Sequence, residues 1–140
     1  MKILLAVDGS AYSKKMLAYL VNHDTLFTPS NEYTVLTVPF AVPPRARAAV
    51  GKAIVEKYYA DEAEKVIAPI DKFLQRHNIS AKSMWKAGSP GEVISKIATE
   101  GKYDLVIMGS HGNGAVASLV MGSVATQVLA HCKVPVLLVR

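Results

Sequence analysis

The chain lacks most of the features that would name a function class at once. It has one cysteine, Cys132, in 140 residues, so no internal disulfide can form, and a cytoplasmic protein is expected. Aromatic residues make up only 7%, and none are interleaved with basic runs. The densest basic clusters are pairs such as Lys14-Lys15 and Arg45-x-Arg47. A net charge of +5 therefore reads as a solvated basic surface with a mild pull on small anions, and no nucleic-acid partner is expected. No apolar run is long enough to span a bilayer, and the opening "MKILLAVDGS" stops at Asp8 without a cleavage signature; no membrane association is expected. His23, His77 and His131 have no zinc-like spacing with one another or with Cys132. There is no G-x-x-x-x-G-K-[ST] loop, and the first strand ends in Asp-Gly-Ser rather than in a dinucleotide fingerprint.

What the chain does have is half its residues apolar, enough for one domain over residues 1–140 with a core that needs no staples. "KILLAV" (2–7), "YTVLTV" (33–38), "SAKSMWK" (80–86), "YDLVIMG" (103–109) and "VPVLLV" (134–139) read as strands. Helical spacing falls on 11–22, 50–77, 90–99 and 122–131. Ser10 is a candidate N-cap, and Ser89-Pro90-Gly91-Glu92 has the spacing of a capping box. Three prolines mark 39–47 as a loop, and Pro69 should kink or divide the long helix. That helix should bury Ile54, Tyr58, Ala63, Val66, Ile67, Ile70 and Leu74. The alternation of strands and helices, with three strands apolar on both faces, predicts a single doubly wound parallel five-stranded α/β sheet. Its expected strand order is 3-2-1-4-5, with helices on both faces.

Ligands of such a sheet bind beyond the carboxyl ends of the strands, where the winding reverses. Here that point lies between strand one, ending at Asp8-Gly9-Ser10, and strand four, ending at Met108-Gly109. The stretch that follows, "VIMGSHGNGAVASLVMGSV", holds Gly109, Gly112, Gly114 and Gly122. Glycines admit close backbone approach and φ > 0, and Gly122-Ser123 opens a helix whose first amides have no internal partner. Exposed amides feeding a helix N-terminus make an anion site, with phosphate the commonest occupant. The Ser110 and Ser123 hydroxyls can donate to it, and Ser123 can also serve as the helix cap.

These residues resemble a known family. Gly109-x-x-Gly112, nine residues, then Gly122-Ser123 reproduces the G-x2-G-x9-G-[ST] motif of ATP-binding universal stress proteins. "ILLAVDGSAYS", "GSPGEVI" and "GSVATQVLAHCKVPVLLVR" are similar to the same family, so the resemblance covers the whole chain. It implies that Asp8 meets the ribose hydroxyls or the adenine edge, that the backbone of Val38 reads adenine, and that Gly109, Gly112, Gly122 and Ser123 cradle the phosphates. It implies ATP as the ligand, with or without Mg2+, and a homodimer formed through the last strand, 134–139. That strand would otherwise be an exposed apolar edge. The sequence departs from the family in having no lysine or arginine between 103 and 132, so amides, hydroxyls or a metal ion must meet the phosphate charge. Arg45 and Arg47 are the nearest candidates to reach over it.

The expected function is thus adenine-nucleotide binding in a stress-response regulator, with little or no turnover. A slow ATPase using His111 and a divalent metal near Asp8 is the first alternative. A nucleotide-free structural dimer is the second. His111 is otherwise a packed loop histidine and Cys132 a packed thiol, while Trp85 serves either edge packing or a partner contact.

Overall fold

In the computed structural model, which describes residues 1–113 and 120–140, the first apolar run forms β1 (Lys2–Ala6) at the centre of the sheet. It is followed by α1 (Ala11–Asn22), β2 (Glu32–Thr37), α2 (Pro44–Val50), α3 (Lys52–Arg76) and β3 (Ala81–Trp85). The chain then forms α4 (Pro90–Glu100), β4 (Leu105–Gly109), α5 (Ser123–His131) and β5 (Val136–Val139). The strand order is β3-β2-β1-β4-β5, and every pairing is parallel. This is the expected arrangement.

The physical cause is visible in the alternation along the central strands. Ile3 and Leu5 point into one core with Met16, Leu20, Ile67 and Leu74, under α1 and α3. Leu4 and Ala6 point into a second core with Ile94, Ala98, Ala125 and Val128, under α4 and α5. A strand buried on both faces has no polar side, which is why the run reads as unbroken apolar. β3 is an edge strand with Lys82 and Ser83 exposed. β5 is the other edge: it pairs with β4, and among the described residues nothing pairs its outer side.

Four local expectations need correction. The proline-rich stretch holds a helix, α2, because Pro44 stands at its first position, where a missing N–H costs nothing. Pro69 does not divide α3, which is one helix on both sides of it; that residue is exposed, so water can take the carbonyl that proline leaves unpaired. The buried stripe at the start of α3 is Val55 and Tyr59, whereas Ile54 and Tyr58 are 61% and 51% exposed. Ser89 precedes α4 but its side chain makes no cap bond, so the capping box does not form.

Candidate functional site

The carboxyl ends of β1 and β4 meet as the winding reversal requires, and both helices that follow them begin there. α1 begins closed. Ser10 Oγ accepts from Ser13 N at 3.4 Å, capping the helix. Asp8 Oδ1 accepts from Ser10 N and from Ser13 Oγ, each at 2.9 Å. Ser13 Oγ in turn accepts from Asp8 N at 3.0 Å. Asp8 Oδ2 accepts from Asn113 N at 3.0 Å, and Asn113 Nδ2 donates to the Asp8 carbonyl at 3.0 Å. One carboxylate thus fastens the first turn to the loop after β4. Burial pushes its pKa up, but the hydrogen bonds from Ser10, Asn113 and Ser13 together outweigh that and hold it below the usual aspartate value.

α5 begins open. Its N-cap is Gly122, which has no side chain to cap with, and its first helical bond is Thr126 N to Gly122 O at 3.1 Å. Gly122 N donates back to Ser110 O at 2.8 Å, tying the helix start to the end of β4. Ser123, Val124 and Ala125, whose amides have no intrahelical acceptor, line a cavity of about 270 Å3. That volume lies near the lower bound of small-molecule pockets, which run from about 300 to 1,000 Å3.

The cavity has two chemically distinct ends. Leu36, Val38, Phe40, Pro90 and Ile94 form an apolar end. Asp8, Ser13, His111, Gly112, Asn113 and the start of α5 form a polar one. Phe40 is 74% exposed although it lines the cavity, so its ring stands at the mouth of the apolar end. Among the described residues no lysine or arginine lines the space. Backbone N–H groups and the α5 dipole supply partial positive charge where the helix begins.

Of the residues singled out from the sequence, Asp8, Val38, Gly109, Gly112, Gly122 and Ser123 all line this cavity. Ser110 does not: it is 1% exposed and its Oγ shares a 2.8 Å hydrogen bond with His111 Nδ1. Ser123 is the first residue inside α5 rather than its cap. Arg47 lines a separate cavity, and Arg45 lines neither. Gly114 lies outside the described residues. Of the two reasons expected for the glycines, positive φ does not apply, since Gly109, Gly112 and Gly122 are not among the positive-φ residues. They are required by close approach. A Cβ on Gly112 would stand 2.5 Å from Asp8 Oδ2, and one on Gly122 3.1 Å from His111 Cα. Ser13, Asn113, Phe40 and Ile94 were not singled out from the sequence. The Asp8-x-Ser10 turn and the serine three residues on were a local signal for Ser13. The Asn113 clamp, spanning 105 residues, had none. Cys132 packs against the second core, its Sγ 3.8 Å from the Val134 carbonyl. Among the described residues no group of three or more His, Cys, Asp or Glu is placed to hold a metal, and no helix is long and apolar enough to cross a membrane.

Comparison with known proteins agrees with this fold. Residues 1–140 match the model of the Universal stress protein family. A universal stress protein of Thermus aquaticus, encoded in the 3′ region of a QAH/OAS sulfhydrylase, is 49% identical over 53 residues. That match spans 38% of this chain and 39% of the relative, so it covers well under half of either. The structure of MJ0577, from Methanocaldococcus jannaschii, superposes with a TM-score of 0.81 at 28% identity, covering 99% of this chain and 94% of the other. A universal stress protein solved in complex with cAMP shares the fold, with a TM-score of 0.70 at 20% identity, covering 100% and 97%.

Proposed function

The chain belongs to the universal stress protein family, and from that premise we propose that it binds an adenine nucleotide, ATP by preference, in the cavity between β1 and β4. The observation that carries the reading is an uncapped helix start, Ser123-Val124-Ala125, opening into a space whose other end is apolar. A nucleotide has matching ends. Its phosphates would take the free amides and the Ser123 hydroxyl, and its base would lie among Leu36, Val38, Phe40 and Ile94. The glycines at 109, 112 and 122 support this by keeping the cavity walls close without side chains. The cAMP complex of a protein with the same fold supports an adenine nucleotide as the class. Asp8 is the acidic residue among those that line the cavity, and it would be the group to meet a ribose hydroxyl. A Mg2+ ion, where present, would arrive on the phosphates, since the Asp8 carboxylate already accepts three hydrogen bonds.

The proposed role is binding with little or no turnover, in a cytoplasmic stress-response regulator. A carboxylate whose pKa is held down is a weak general base at neutral pH, and among the described residues no Lys or Arg lines the cavity to neutralise a transferring phosphoryl group. A homodimer through residues 134–139 would cover the outer edge of β5, whose Val136, Leu137 and Leu138 are half-buried in the single chain.

Calorimetric titration separates the two ends. ATP should bind more tightly than adenosine or tripolyphosphate, each of which fills one end alone. No heat with millimolar ATP, or equal affinity for ATP and tripolyphosphate, would overturn the reading. Mass analysis of any small molecule carried through purification is the companion measurement.

A further inference from the structure

A second cavity, of about 380 Å3, lies where β3 ends, and it shares no lining residue with the first. Three separate stretches converge on it. α2 supplies Arg47, α3 supplies Glu56 and Tyr59, and the end of β3 with the turn beyond supplies Trp85 and Lys86. Its frame is fixed by hydrogen bonds: Lys86 N to Thr37 O at 3.3 Å, Gly88 N to Pro39 O at 3.0 Å, and Val42 N to Tyr59 Oη at 2.7 Å. Tyr59 is buried, and its ring centroid is 6.1 Å from that of the partly buried Trp85. The aromatic wall is therefore held in place, yet it faces an open space.

Two cationic residues from different stretches, Arg47 and Lys86, line that space. Among the described residues neither Arg47 nor Lys86 has an ion pair, and Lys65–Glu62 is the pair that does form. Glu56, the acid in the lining, is not within ion-pair distance of either. We propose that this cavity binds a small organic anion with a flat apolar body, of which an aromatic carboxylate is the simplest case. The charge would sit between Arg47 and Lys86, and the ring against Trp85 and Tyr59. A bare inorganic anion would leave the aromatic wall uncovered, and a neutral ring would leave the cations unmatched. The site stands apart from nucleotide binding.

Trp85 is the sole tryptophan of the chain, so its emission reports on this cavity. The full chain is titrated with benzoate, acetate and inorganic phosphate at constant ionic strength. Benzoate should give a saturable change in emission, and acetate and phosphate none over the same range. The double variant Arg47→Gln/Lys86→Gln should raise the benzoate midpoint by about fivefold or more, the scale of two solvent-exposed charge contacts. Glu56→Gln should lower it by about twofold, because it removes a like charge. All three side chains are exposed, and unchanged circular dichroism will show that the variants fold. No saturable response to benzoate, an equal response to phosphate, or an unmoved midpoint in the double variant overturns the proposal.

Discussion

Two helices start at the same edge of the sheet, one after β1 and one after β4, and they treat their first turns in opposite ways. α1 closes its own end with the Ser10 cap and with an Asp8 carboxylate that gathers three donors. α5 starts at a residue that cannot cap, and its first three residues face a cavity. Every helix N-terminus carries the same partial positive charge and the same unpaired amides. The difference between the two is therefore one of side chains: Ser10 Oγ takes the Ser13 amide and Asp8 the Ser10 amide from within, whereas Gly122 offers no side chain to the first amides of α5. A closed end adds stability; under the proposed function, an open one forgoes it for affinity.

Breaking the open end should have the largest effect. Gly122→Val places a branched side chain where even a lone Cβ would stand 3.1 Å from His111 Cα, so the amides must shift. ATP affinity should fall about 100-fold or more, the equivalent of roughly two charge-assisted hydrogen bonds, measured by calorimetry. Affinity within threefold of the parent would show that these amides do not hold the ligand. Breaking the closed end comes next. Asp8→Asn removes the charge on which Ser10 N, Ser13 Oγ and Asn113 N converge and should destabilise the fold by about 2 kcal/mol in urea denaturation, the site being half-buried. The two serines then sharpen the contrast. Ser10→Ala should cost about 1 kcal/mol of stability as a lost cap. Ser123→Ala should leave stability within about 0.5 kcal/mol and weaken ATP binding by about threefold. If Ser123→Ala destabilises as much as Ser10→Ala, the two ends are not used differently.

The smallest effect is in acid. The Asp8 carboxyl sits below its ordinary value in the fold, so its contribution is complete above the unfolded pKa, at about pH 4, and is lost as pH falls through the lower folded value. The stability difference between parent and Asp8→Asn should be flat above about pH 5 and shrink below pH 4. A difference that grows towards low pH would reverse the sign of the argument.

The strand order and the place of the cavity were legible because they rest on long apolar runs and on the winding rule, which need no side-chain detail. β1 and β4 could be read from "KILLAV" and "YDLVIMG" alone. What escaped was finer. α2 hid behind prolines that also suit a helix start, and the stripe of α3 slipped by one residue because Ile54-Val55 and Tyr58-Tyr59 offer apolar choices on adjacent faces. The loop glycines were legible as close-approach positions, but toward a ligand rather than toward the chain itself. The approach of Gly112 to Asp8 joins segments about a hundred residues apart, and no local pattern encodes that. The Ser110 hydroxyl read as a phosphate donor because it lies in the glycine-rich loop, whereas the chain buries it against His111.

The walls of the first cavity come from five stretches, at residues 6–13, 36–40, 90–94, 108–113 and 122–125, and no two of them suffice to make it. An unfolded chain therefore has almost no affinity for what the cavity holds, and mass action turns ligand concentration into resistance to unfolding. At a hundred times its dissociation constant, ATP should add about 2.7 kcal/mol. The nucleotide level around the protein would then set how long each copy withstands heat or proteolysis.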